Sequence, residues 1–160
     1  KAITKYGWSA YILAMTVIVL DQVSKHLILG LLGTQAGSSV PVGGPFSLTL
    51  VWNQGVSFGL FSAEHDVVRW ALTAFSLIVA IFLANWARTA LRWSMALGLG
   101  LVMGGAIGNA IDRVRFGAVV DFLDFQRLGF FPWVFNVADA AITIGVVFLL
   151  LDSTRKEAAA

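Results

Sequence analysis

A carboxylate inside apolar sequence is the first feature of this chain that suggests chemistry. Asp139 is followed by twelve uncharged residues, AAITIGVVFLLL, before the next charge at Asp152. Ionising a carboxylate inside a membrane is costly, so such groups face a bundle interior or a wet cavity and have polar partners there. Asp139 therefore marks a candidate functional site, and its partners should lie at the same depth.

Several polar residues are predicted to share that depth. A helix rises about 1.5 Å per residue, which places Asp139 about 20 Å from Asp152 and Asn109 about 25 Å from Arg92. Asp21 reaches a similar height, about 24 Å, on the first apolar run. The hydrocarbon core is about 30 Å thick, so these residues approach one of its boundaries. The set predicted at this level is Asp21, Asn109, Asp112, Asn136 and Asp139, with Asp121 close by in the preceding loop.

Two carboxylates at one site can share a proton, because close acidic groups cannot both ionise easily. One then acts as a base towards water and the other as an acid, which can hydrolyse amide bonds without a metal. The residues alone leave other functions open: a proton or ion pathway, polar contacts that only join helices, or a Ser–Lys pair of Ser24 or Ser57 with Lys25. No metal site is expected, since the chain has no cysteine and its two histidines, His26 and His65, lie far apart.

The composition predicts a membrane protein. Of the 160 residues, 58% are hydrophobic and only 12% are charged, with a mean hydropathy of +0.82. The net charge of +2 does not indicate nucleic-acid binding. Runs of about 20 apolar residues are long enough to cross a bilayer. We predict one polytopic domain over 1–160, with spans near 6–32, 68–87, 93–112 and 132–151 and outer loops near 33–66 and 113–131.

Four spans place both termini on one side of the membrane. That side also holds the short 88–92 connection with its two arginines, Arg88 and Arg92, and the basic ends of the chain. Because cytoplasmic loops are enriched in Lys and Arg, we predict that both termini are cytoplasmic.

The first outer loop carries the signature of a strand. In FSLTLVW (46–52), large apolar residues alternate with Ser, Thr and Val, which is typical of a strand with one covered face. NQG (53–55) follows as a turn or bulge before VSFGLF (56–61). We therefore predict a small β element on the outer surface.

Five ordered motifs resemble those of the bacterial lipoprotein signal peptidases, also called signal peptidase II. They are DQVSK (21–25), NQGVSFG (53–59), GGAIGNAIDR (104–113), VVDF (119–122) and FNVADAAI (135–142). Each motif is weak alone, but their order on four predicted spans with long and short connections is specific. The resemblance extends from Asp21 to about Ile144, which is most of the chain.

The resemblance implies an all-α integral membrane protein: four transmembrane helices with a small extracytoplasmic β-cradle in the first outer loop. It implies an aspartic endopeptidase that removes signal peptides from diacylglyceryl-modified prolipoproteins, cutting before the lipidated cysteine. By motif position, Asp121 and Asp139 are the catalytic carboxylates that activate water. The substrate-binding and supporting set that it implies is Asp21, Lys25, Asn53, Gly55, Asn109, Asp112, Arg113 and Asn136.

The same resemblance implies a location and partners. The protein is expected in the bacterial inner (cytoplasmic) membrane, among membrane lipids, with its active site near the periplasmic face. A prolipoprotein with a lipid-modified cysteine is the expected substrate, and globomycin-type cyclic peptides are the expected inhibitors. We expect a monomer without cofactor, metal or nucleic-acid partner.

Three individual acids have simpler interpretations as well. Asp21 and Lys25, four residues apart, are predicted either to pair on one helix face or to shape the pocket. Asp112, beside Arg113, is predicted to fix the end of the third helix. Asp124 is predicted to be a solvated loop acid.

Overall fold

The computed structural model describes residues 2–55 and 62–157, which form four long helices and one small sheet. Each of the four helices is long and apolar enough to cross a membrane, as the composition predicted. The predicted segment VSFGLF (56–61), with Ser57, lies outside the described residues. The helices are α1 (Lys5–Leu32), α2 (Ser62–Ala87), α3 (Trp93–Phe116) and α4 (Val137–Glu157).

Helix α3 is the centre of the bundle. It packs against α1, α2 and α4, whereas α1 and α2 contact each other only a little. Glycine allows the closest of these approaches: a Cβ added at Gly105 would lie 2.5 Å from the carbonyl oxygen of Ala138 on α4. Small residues let membrane helices pack backbone against backbone in this way. The polar residues of α1, α3 and α4 are thereby brought within hydrogen-bonding distance of one another.

The start of α1, the last turns of α4 and the short α2–α3 connection lie at one end of the bundle. The Thr4 hydroxyl caps α1 by accepting from the Gly7 N–H at 3.0 Å and donates to the Ala90 carbonyl at 2.6 Å. Near the other terminus, Asp152 of α4 accepts from Arg92 Nη2 at 3.1 Å. These contacts fix the helix ends that are furthest from the sheet.

The sheet is antiparallel, with the strand order β1-β2-β3-β4. Its second strand confirms the strand predicted at 46–52. However, the sheet is not confined to the first long connection, because β3 and β4 come from the segment between α3 and α4, which was predicted as loop. The strands are β1 (Ser39–Gly43), β2 (Phe46–Asn53), β3 (Val119–Asp124) and β4 (Val134–Phe135), and a 3-10 turn at Gln126–Leu128 precedes β4.

The sheet also explains where α4 begins. The last apolar run starts at residue 132, but residues 134–135 pair with β3 instead of joining the helix, which starts at Val137. Beneath the sheet, Leu50, Val120 and Phe122 are buried against Ile28 near the end of α1. Apolar burial therefore docks the sheet on the end of the bundle opposite to the start of α1 and the end of α4.

Candidate active site

Asp139 lies in the first turn of α4 because the sequence NVAD forms a capping box there. Asn136 precedes the helix, and its side-chain oxygen accepts from the Asp139 N–H at 2.9 Å. In return, Asp139 Oδ2 accepts from the Asn136 backbone N–H at 3.3 Å. This reciprocal pair satisfies two N–H groups that a helix N-terminus otherwise leaves open. It also places the Asp139 carboxylate at the positive end of the helix dipole, where an anion is stabilised.

Asp121 reaches the same place from the sheet. It lies on β3 opposite Val51, and the register between β2 and β3 shifts between Leu48 and Val51. Such bulges bend a strand and redirect its side chains. The Asp121 side chain is only 1% exposed, whereas Asp139 is half-buried. One carboxylate is therefore enclosed by protein, while the other keeps a partly open face.

Two asparagines join the carboxylates to each other. Asn136 Nδ2 donates to Asp121 Oδ1 at 2.7 Å and to the Asn109 side-chain oxygen at 3.2 Å. Asn109 Nδ2 then donates to Asp139 Oδ1 at 2.8 Å. Asn136 thus contacts both acids, one through its amide and the other through its backbone. Neutral amides can hold carboxylates in this way without adding a charge of their own.

The second oxygen of Asp121 is held by the NQG turn. Asn53 Nδ2 donates to Asp121 Oδ2 at 3.0 Å, and Asn53 Oδ1 accepts from the Gly55 N–H at 2.8 Å. This Asx turn fixes which side of the amide faces the carboxylate. Gly55 has a φ of +91°, and a Cβ at this position would overlap Leu72 Cδ1. Glycine therefore suits the turn both in its backbone conformation and in its space.

A buried group of charges lies behind the pair. The Lys25 ammonium contacts Asp21 Oδ2 at 2.8 Å and Asp112 Oδ2 at 2.7 Å, and it donates to Asn109 Oδ1 at 3.2 Å. Lys25 is 2% exposed, and both acids are fully buried. Asp21 and Lys25 pair along α1, as one interpretation predicted, and they also contact Asn109 and the Ala138 N–H. Asp112 accepts from the Val120 N–H at 3.0 Å, so it ties the end of α3 to β3.

Arg113 lies near these acids but has a different environment. It interacts electrostatically with Asp139, Asp112 and Asp121. Its Nε is buried without a hydrogen-bond partner among the described residues. The positive charge of Arg113 offsets part of the negative charge of the site, without a direct ion pair to either carboxylate in the described part of the chain.

The charge state of Asp121 is set by its surroundings. Burial, the largest cause, and the nearby Asp139 raise the pKa of Asp121 to about 7. The hydrogen bonds from Asn53 and Asn136 and the positive charge of Lys25 act in the opposite direction. Because a carboxyl with such a pKa is protonated in a substantial fraction of molecules at neutral pH, Asp121 can supply a proton there.

The site suits proton chemistry better than cation binding. Each oxygen of Asp21, Asp112, Asp121 and Asp139 accepts at least one N–H group. The Lys25 ammonium and these N–H groups already supply positive partners to the carboxylates, which leaves less negative charge to attract a metal ion. The geometry instead offers two carboxylates of different exposure, held by amides, beside buried positive charge.

One member of the network, Gln22, was not predicted, and Asp124 has a different environment from the predicted one. Gln22 donates to Asp112 Oδ1 at 2.9 Å and to the Gly108 carbonyl at 3.2 Å. The position of Gln22 beside Asp21 in DQVSK was the sequence signal that could have indicated its place in the network. Asp124, predicted to be a solvated loop acid, is half-buried at the end of β3 and accepts from Thr49 Oγ1 at 2.7 Å and from the Gln126 N–H at 2.9 Å. Ser24 donates to the Asp21 carbonyl at 2.8 Å instead of pairing with Lys25.

Two solved structures share the fold of this chain. The chain resembles two solved bacterial membrane enzyme structures. One is 29% identical with a TM-score of 0.77, covering 94% of this chain and 95% of that one. The other is 27% identical with a TM-score of 0.79, covering 98% of this chain and 94% of that one.

Sequence relatives are closer still. The lipoprotein signal peptidase of Caulobacter vibrioides is 54% identical over 98% of this chain and 92% of its own length. That of Methylorubrum extorquens is 46% identical over 92% and 86%, respectively. The profile of the signal peptidase (SPase) II family matches residues 13–155, a range that contains every charged and amide side chain of the site. The chain therefore belongs to the signal peptidase II family.

Proposed function

We propose that this membrane peptidase cleaves prolipoproteins immediately before their lipid-modified cysteine, with Asp121 and Asp139 as its catalytic pair. Family membership supports the removal of signal peptides from prolipoproteins. The observation that carries the catalytic assignment is the position of Asn136, which contacts both carboxylates, one from β3 and one from α4.

The two acids have different roles in this proposal. Asp139, half-buried at the start of α4, takes a proton from a water molecule whose oxygen attacks the carbonyl carbon of the scissile bond. Asp121, enclosed and protonated, gives its proton to the carbonyl oxygen during this attack, so a gem-diol forms. Asp139 then gives the proton it took from water to the amine nitrogen, Asp121 takes a proton back from one hydroxyl of the gem-diol, and the C–N bond breaks to release a carboxylic acid and an amine. Asn53 and Asn136 hold Asp121 during this exchange. Arg113 balances the negative charge that develops.

The pKa of Asp121 predicts how the reaction depends on pH. Asp121 must carry a proton, and that proton is lost as the pH rises through about 7. We therefore expect kcat/KM to fall above about pH 7, about tenfold for each further pH unit. Initial rates of cleavage between pH 5 and 9, in one detergent and at a fixed ionic strength, measure this fall in kcat/KM. A rate that stays constant to pH 9 would contradict the role of Asp121 as the acid.

We further propose an orientation in the inner membrane. The start of α1, the last turns of α4 and the 88–92 connection lie together, opposite to the site, and the basic residues near them favour the cytoplasm. The active site then lies near the periplasmic face, with the sheet as a cradle for the substrate at the membrane surface. Membrane lipids would surround the helices, globomycin-type cyclic peptides would bind at the site, and the monomer would be sufficient for activity.

Purified protein tests this function directly. In proteoliposomes, the chain should cut a diacylglyceryl-modified prolipoprotein and release a signal peptide that ends at the residue before the lipidated cysteine, identified by its mass. A proton or ion pathway would give flux across the vesicle membrane and no cleavage. Flux without cleavage, from folded protein, would overturn the proposal.

A further inference from the structure

Lys25 is a buried cation that the proposed reaction does not use. Its ammonium has three N–H donors, and these meet Asp21, Asp112 and Asn109 at 2.8, 2.7 and 3.2 Å. The side chain is only 2% exposed, and with all three donors occupied it has none left for a substrate. A lysine in this position must act on the protein itself.

Each of the two carboxylates that pair with Lys25 accepts a hydrogen bond from the backbone of the residue that precedes one catalytic acid. Asp112 Oδ2 accepts from the backbone N–H of Val120, the residue before Asp121, at 3.0 Å. Asp21 Oδ1 accepts from the backbone N–H of Ala138, the residue before Asp139, at 2.9 Å. One ammonium is thus connected, through one carboxylate on each side, to the main chain just before each catalytic acid.

We propose that Lys25, Asp21 and Asp112 form a clamp that sets the distance between Asp121 and Asp139 by holding the backbone of the residue before each. The proposal rests on the proposed catalytic role of those two acids. Lys25 is a positioning residue in this arrangement, and its third donor reaches Asp139 indirectly through Asn109.

The β3–β4 pairing alone is too short to fix the distance between Asp121 and Asp139. Asp121 lies on a strand and Asp139 on a helix. The sheet joins their segments through only two residue pairs, Leu123 with Phe135 and Asp124 with Val134. The catalytic residues lie beyond this short ladder on both sides. Because a displacement of about 1 Å can lower a rate by about 100-fold, contacts nearer to the acids are required.

A double variant separates positioning from simple stability. Lys25→Met alone leaves two buried carboxylates without their cation, which strongly destabilises a fold. Lys25→Met/Asp112→Asn removes one positive and one negative charge, so the net charge of the group stays at −1, as in the wild type. The matched control is Arg92→Met/Asp152→Asn, which removes a different ion pair, between the residue before α3 and a residue of α4, at the opposite end of the bundle.

We expect the clamp variant to remain folded and to lose about 100-fold in kcat, with KM for the prolipoprotein changed less than about twofold. Hydrogen–deuterium exchange should rise at least about tenfold at the Val120 and Ala138 amides. The control variant should keep kcat within about twofold and leave both amides protected. Wild-type kcat in the folded clamp variant, or a lower kcat without faster exchange at these amides, overturns the proposal.

Failure of the clamp is distinguishable from failure of the catalytic assignment. If Asp121→Asn and Asp139→Asn are inactive while the clamp variant has wild-type kcat, the catalytic assignment of the two acids is supported and the clamp proposal is wrong. If either Asn variant cleaves at the wild-type rate, the catalytic assignment is wrong, and the clamp proposal, which depends on it, is wrong as well.

Discussion

Asp121→Asn and Asp139→Asn are each expected to lower kcat for prolipoprotein cleavage by about 10⁴-fold, the upper range for a positioned acid or base. An amide can neither take the proton of the attacking water nor give one to the leaving amine. The two acids act as a unit, so the double variant should be about as inactive as either single variant. Single-turnover cleavage of a diacylglyceryl-modified prolipoprotein measures the effect.

Both variants should stay folded, because asparagine keeps an acceptor for the N–H groups around the site. At position 139 it can still accept from the Asn136 N–H, which now bonds Oδ2. Asp124→Asn is the matched control: it changes an acid on the same strand that bonds Thr49 and Gln126 instead of the site. Its kcat should stay within about twofold. Cleavage by Asp139→Asn at a rate close to that of Asp124→Asn would exclude the proposed mechanism.

Asn136→Ala should have the next largest effect, a loss of about 10³-fold in kcat. About tenfold of this comes from the lost hydrogen bond to Asp121, and about 100-fold from displacement of Asp139 once the capping box is gone. Loss of the cap should also lower the free energy of unfolding by about 1 kcal/mol. Cleavage kinetics and thermal unfolding in the same detergent measure the two effects separately.

Asn136→Ser separates capping from bridging at this position. Serine is a good N-cap and can accept from the Asp139 N–H, but its short side chain cannot donate to Asp121 and Asn109 together. Its stability should return to near that of the wild type, while kcat should remain at least about tenfold low. Full activity in Asn136→Ser would mean that the bridge between the acids is unnecessary.

Much of the site could be predicted from the sequence because membrane depth follows from residue number. Counting along apolar runs put Asp21, Asn109 and Asp139 at one level, and the hydrogen bonds join them through Lys25, Ala138 and Asn109. The same counting cannot show which side chains face each other across the bundle. That Asp112 holds the N–H of Val120 depends on how the chain turns after α3.

The strands β3 and β4 were not predicted from the sequence, for a physical reason. In VVDFLD (119–124), the first four residues are all buried, so the segment lacks the alternation that reveals a strand with one open face. Its partners lie far away in sequence, in β2 at 46–53, and no local pattern specifies them. The start of α4 had a usable local signal: asparagine followed three residues later by aspartate is a capping box.

The spacing of Asp21 and Lys25 has a consequence for biosynthesis. Helix α1 leaves the ribosome long before Asp112 and α4 exist, so the partners of its two charges in the finished bundle are absent when it enters the bilayer. Because the two residues are one helical turn apart and bond at 2.8 Å, each can neutralise the other within α1 itself. Moving one of the two charges by one position, with the composition of α1 unchanged, should hinder insertion of the newly made helix. This effect should appear before the active site is assembled.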